Sequence, residues 1–93
     1  MQITLTGHQI DLGTSWREYT EEAITSVVKK YFDKAREATV SVSHEGSDFK
    51  TEITVRPGTG LKISASGQAV DAYSSLDEAL RKMGRQLKKY KNK

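Results

Sequence analysis

The chain has no cysteine in its 93 residues. That rules out disulfides and thiolate metal sites, and it is compatible with a reducing cytoplasm. No apolar run approaches the roughly 20 residues that a membrane helix requires. The opening Met1-Gln2-Ile3-Thr4-Leu5 has no basic stretch followed by an apolar one, so no secretory leader is expected. Repeats, linkers and low-complexity stretches are missing as well, and the length suits one domain, 1–93. A cytoplasmic protein that neither enters nor lies on a membrane is the expectation. The most telling absence is local: after Glu78 there is no acidic residue. Residues 71–93 carry seven basic side chains against Asp71, Asp77 and Glu78, a net +4 in a chain whose total is +3. A charge imbalance this localised points to an anionic partner, with nucleic acid first.

Periodicity supplies the elements. Ile3, Leu5 and Gly7 alternate with polar neighbours, the signature of a strand with one buried face. Asp11–Thr14 is a turn, and Ser15 with Glu18 fits a capping box. Trp16, Thr20, Ala23, Val27 and Tyr31, widened by Ile24, Val28 and Phe32, predict a helix over about 15–35. Val40 and Val42 mark a second strand, and His44–Asp48 reads as a hairpin loop. Phe49, Thr51, Ile53 and Val55 mark a third strand. Pro57-Gly58-Thr59-Gly60 is a strong turn. Leu61, Ile63 and Ala65 mark a fourth strand, closed by Gly67. Asp71 is a plausible N-cap for a last helix that runs close to the C-terminus. In that helix Tyr73, Leu76, Leu80, Met83, Leu87 and Tyr90 form one apolar stripe. Gly84 costs it about 1 kcal/mol of propensity, or else permits close packing against the first helix. Strands with one wet face, a helical first crossover and short later links predict an α+β fold. Its order is β-α-β-β-β-α: a two-layer sandwich with a four-stranded mixed sheet and both helices on one face.

The chemistry points to the last helix. Lys82, Arg85, Lys89 and Lys93 follow three- and four-residue spacing, and Arg81, Arg85 and Lys88 form an adjoining row, with Lys91 nearby. Both rows lie off the apolar stripe. The alternative is a solvated helix end whose cations favour the dipole and solubility. Lys29, Lys30 and Lys34 end the first helix, where they either complement its dipole or extend the basic surface. Sheet readers of single strands stack bases on exposed aromatics. The outward positions here (Gln2, Thr4, Thr6, Ser41, Ser43, Glu52, Thr54, Lys62, Ser64 and Ser66) include none. Any RNA surface should therefore lie on the helices and read backbone and shape. Catalysis is not expected. His8 and His44 have no partners at metal-ligand spacing, Asp71 and Asp77 do not share a helix face, and Gly58 and Gly60 open no phosphate loop. Trp16 and Tyr19 read as core. No cofactor, metal or small-molecule substrate is expected.

The run Asp71-Ala72-Tyr73-Ser74-Ser75-Leu76-Asp77, continued by Lys82, Arg85-Gln86-Leu87, Lys89 and Lys91, resembles the ribosome hibernation promoting factor family. That family includes ribosome-associated inhibitor A and the sigma modulation proteins. The opening Gln2-Ile3-Thr4-Leu5-Thr6-Gly7 and Lys30-Tyr31-Phe32-Asp33 are similar to family sequence too. The resemblance implies a fold shaped like double-stranded RNA-binding domains. It also implies binding to small-subunit rRNA in the mRNA and tRNA channel, and inhibition of translation in stationary phase or stress. Its RNA-contacting positions correspond to Lys82, Arg85 and Lys89. Where some relatives place lysines in the first helix, Ile24 and Val27 stand here, with Lys29 and Lys30 the nearest cations. The 44–51 and 67–73 segments resemble the long members, whose further domain pairs two ribosomes. The competing readings are a general double-stranded RNA-binding or stress-response module without ribosome preference, and a protein–protein module.

Overall fold

Four alternating segments and two amphipathic ones condense around a single apolar layer. A computed structural model describes residues 2–8, 10, 13–32, 35–58 and 60–91. The elements run β1 (Gln2–Gly7), α1 (Gly13–Tyr31), β2 (Glu37–Glu45), β3 (Asp48–Arg56), β4 (Ile63–Ala69) and α2 (Ala72–Lys91). The strands lie in the order β1-β2-β3-β4. β1 is parallel to β2, with Leu5 opposite Val40, and the two later pairings are antiparallel. The expected β-α-β-β-β-α sandwich with a mixed sheet is thus the fold observed.

The boundaries depart from the sequence expectation at several points. α1 begins at Gly13, in the left-handed region at φ 75°, so Ser15 lies inside the first turn and the proposed capping box is not the start. It ends at Tyr31, with the Phe32 N–H still reaching the Val28 carbonyl at 2.7 Å. The expected His44–Asp48 loop shrinks to Gly46 and Ser47, because His44 pairs with Phe49 and Glu45 with Asp48. Gly46 takes the positive φ of 64° that so tight a hairpin needs. β4 starts at Ile63, not Leu61, and runs through Gly67 to Ala69, past the strand end that the sequence predicts at Gly67.

One sheet face carries Ala38, Val40, Val42, Ile53, Val55 and Ile63 into the core, where they meet Trp16, Ile24 and Val28 of α1 and Leu76, Ala79, Leu80, Met83 and Leu87 of α2. Each large aliphatic side chain withdrawn from water there contributes about 1.5–3 kcal/mol. The outer face is held by polar pairs: Thr54 with Ser64 at 3.2 Å, Arg56 with Glu37 at 3.0 Å, and Lys50 with Glu52 at 3.5 Å. The ends of the α2 stripe escape burial. Tyr73 is 43% and Tyr90 37% exposed. Tyr19, expected in the core, is 40% exposed; it donates its hydroxyl to Asp77 at 2.6 Å and meets the Tyr73 ring edge-on at 5.2 Å. That donation to a carboxylate is the main reason its phenol titrates above the ordinary range.

The seat of α2 on the sheet is specific. Gly67 is buried, and a β-carbon there would lie 2.5 Å from the Ala79 nitrogen, 2.9 Å from the Glu78 β-carbon and closer still to the Ser75 carbonyl. Opposite Gly67 on β3 stands Thr51. Its hydroxyl lies 2.7 Å from that of Ser75, fully buried. The Ser75 hydroxyl donates its one proton to the Ala72 carbonyl at 2.9 Å, so Thr51 is the donor in the Thr51–Ser75 bond. Asp71 caps the helix as expected, accepting from the Ser74 N–H at 2.8 Å and the Ser74 hydroxyl at 3.0 Å. The Ser74 backbone bond, then its side-chain bond, hold the Asp71 carboxyl below the usual range.

G67A forces α2 off β4 and costs about 3 kcal/mol or more in a urea melt, at the upper end of overpacking. S75A strands a buried donor on Thr51 and costs about 1–3 kcal/mol, whereas T51V leaves every donor satisfied and costs less; the reverse order would contradict the proton assignment. The Asp71 carboxyl is depressed in the folded state, so the stability it contributes is present above the ordinary carboxylate pKa and is lost as pH falls through the folded value. D71A therefore lowers the melting temperature by about 3–5 °C at neutral pH, and the gap from wild type narrows as pH falls below the ordinary carboxylate range and through the folded value.

Candidate nucleic-acid interface

At 3.6 residues per turn, Lys88, Arg81, Arg85, Lys89 and Lys82 fall within an arc of about 120° on α2. The buried stripe of Leu76, Leu80, Met83 and Leu87 occupies the other side. All five cations are exposed, and the α2 segment that carries them is regular helix throughout. Lys82 pairs with Glu78 at 3.3 Å one turn earlier, both partly exposed. Such a pair is worth well under about 1 kcal/mol and yields readily to a phosphate. Among the described residues, no carboxylate pairs with Arg81, Arg85, Lys88 or Lys89. The Lys91 side chain, Lys34 and Lys93 lie outside the described residues.

α1 meets this face along a groove of about 280 Å³. Val27, Tyr31, Leu80 and Gly84 line it with apolar surface, and Lys30, Arg81, Arg85 and Lys88 line it with charge. No acidic residue is among them. The Lys30 ammonium sits 5.6 Å from the centre of the Tyr31 ring, within cation–π range. Gly84 does not serve helix–helix contact: a β-carbon there would meet nothing within 4 Å. The glycine opens the groove.

Of the residues singled out in the sequence, Lys30 and the Arg81, Arg85 and Lys88 row are brought together. Lys82 and Lys89 lie further round α2, outside the groove and exposed. Lys29 is parted from them, in a separate depression beside Glu18, Glu21 and Glu22. Consecutive helical residues point about 100° apart, which is why Lys29 and Lys30 separate. Tyr31 and Gly84 were not recognised as site residues. The signal was present, since Val27, Lys30 and Tyr31 share a face at three- and four-residue spacing. Ile24 is fully buried, so that α1 position belongs to the core and not to the surface. Among the described residues, no group of three or more potential ligands could hold a metal ion, and no helix is long and apolar enough to cross a membrane. His44, expected in a loop, stands on β2 with its ring 4.7 Å from that of Phe49.

The chain is similar to known proteins in sequence and in fold. The chain is 32% identical over its full length to a ribosome hibernation promotion factor of Rhizobium meliloti, covering 49% of that protein. It is 33% identical to a ribosome hibernation promoting factor of Azotobacter vinelandii, covering 85%, and 28% identical to that of Escherichia coli K12, covering 96%. The chain thus spans about half the length of the Rhizobium relative, while it spans most of the other two. Among solved structures, a ribosomal subunit interface protein from Coxiella burnetii superposes with a TM-score of 0.87 at 25% identity, over all of both chains. The N-terminal domain of Thermus thermophilus Protein Y superposes at 0.83 and 25% identity, over 97% of this chain and 99% of that one. The family model described as Sigma 54 modulation protein / S30EA ribosomal protein matches residues 3–93, and the chain belongs to that family.

Proposed function

We propose that the chain is a non-catalytic ribosome hibernation factor that binds the rRNA of the small subunit in its mRNA and tRNA channel. There it inhibits translation sterically in the stationary or stressed cytoplasm. The observation that carries the proposal is the arc of exposed cations on α2, with Lys30 joining it across the groove. The names of the full-length relatives support the ribosomal partner. An α-helix of 20 residues is about 30 Å long and can follow several phosphates. Phosphate contacts position a protein without reading bases, and a binder that blocks a channel of fixed shape needs little more. The polar outer sheet face offers no stacking platform, which favours the helices as the contact surface.

The rival, a duplex-binding module without ribosome preference, is favoured by the same cation arc and shares the fold. Competition separates them: small subunits outcompete a generic RNA duplex by orders of magnitude if the ribosome is the partner.

The direct test is co-sedimentation of K82A/R85A/K89A with small subunits. All three side chains are exposed, so stability stays within about 1 kcal/mol of wild type. Association is abolished. Retained co-sedimentation at physiological salt would place the contact surface elsewhere.

A further inference from the structure

We infer that the groove between α1 and α2 receives one unpaired nucleotide of the bound RNA: its base enters over Leu80, Val27 and Tyr31, and its phosphate meets Arg81, Arg85 and Lys88. The inference rests on the proposed RNA-binding role and specifies what that surface recognises beyond charge.

Four observations converge. Phosphate contact alone needs only a convex row of cations, and Lys82 and Lys89 already provide one outside the groove. The groove is instead concave and mostly apolar in its lining, which a helical backbone of phosphates would leave unused. Its volume of about 280 Å³ lies just below the roughly 300–1,000 Å³ of sites for drug-sized ligands, a match for one planar base. Finally, Gly84 weakens α2 at mid-length although no neighbour demands a missing side chain. What the missing side chain leaves is space, in the groove floor. The rim chemistry chooses the occupant. Lys30, Arg81, Arg85 and Lys88, with no carboxylate among the lining residues, would leave an apolar peptide facing four uncompensated cations. A nucleotide supplies a flat π-face for the Tyr31 ring and the guanidinium planes, and an anion for the rim.

The test uses the full chain and three labelled RNA hairpins: one with a single bulged adenosine, one with an abasic residue at the bulge, and one fully paired. Wild type binds the adenosine bulge about ten-fold more tightly than the other two. G84L fills the groove, raises the melting temperature and binds all three hairpins alike. G84A, which adds one methyl group in open space, also raises the melting temperature and keeps the preference. R85A weakens all three. Equal affinity of wild type for the three hairpins, or an undiminished bulge preference in G84L, overturns the inference. Displacement of the bulged hairpin by free AMP at sub-millimolar concentration overturns it too, because the groove would then serve a free nucleotide. The ribosome assignment stands or falls separately, on co-sedimentation of wild type and K82A/R85A/K89A.

Discussion

The position of every functional side chain on α2 depends on how that helix meets the sheet at Gly67. The helix backbone around Ser75 and Ala79 sits where a β-carbon on β4 would otherwise be. The buried Thr51–Ser75 hydrogen bond ties the same turn to β3. Two strands therefore fix both the height and the rotation of the helix. Rotation is what matters for function. A helix turned by one residue, about 100°, would carry part of the cation arc into the core and part of the leucine stripe into water. An apolar stripe alone tolerates sliding and some rotation. A hydrogen bond in the dry interior does not, because losing it leaves a buried polar group unpaired.

With that seat fixed, the charge distribution follows. Asp71 caps the helix, Asp77 is held by Tyr19, and Glu78 is engaged by Lys82. The three carboxylates of the final segment are thus all occupied within its first turns. Beyond them, Arg81, Arg85, Lys88 and Lys89 have no acidic partner among the described residues. Lys30 on α1 adds a fifth cation from across the groove. The electrostatic asymmetry of the sequence becomes a surface asymmetry because the chain spends its local acids on folding.

The fold was legible in the sequence because its strands alternate cleanly and its helices carry stripes of the right period. The α2 stripe placed Leu76, Leu80, Met83 and Leu87 in the core, and all four are buried. The same stripe misjudged Tyr73 and Tyr90: periodicity records which side a residue faces and not where the partner layer ends. Gly67 was read as a strand terminator although it is a mid-strand contact, since a glycine that admits a helix and one that admits a turn look alike in one dimension. Of the two readings open for Gly84, a cost in helix propensity or close packing against α1, the second fails, since a β-carbon there would meet nothing within 4 Å. The cations of α2 were legible from spacing alone. The groove was not, because it exists only where Lys30 and Tyr31 of one helix face Arg81, Arg85 and Lys88 of another, some fifty residues later in the chain.

The most direct test of the account is the salt dependence of binding to small ribosomal subunits. Each phosphate neutralised contributes about 0.7–0.9 to the negative slope of log affinity against log salt. Engagement of the five α2 cations predicts a slope of about −4, falling by about 0.7–0.9 for each cation removed singly, as in K82A or K89A. A slope near zero, or one that the substitutions leave unchanged, would contradict it.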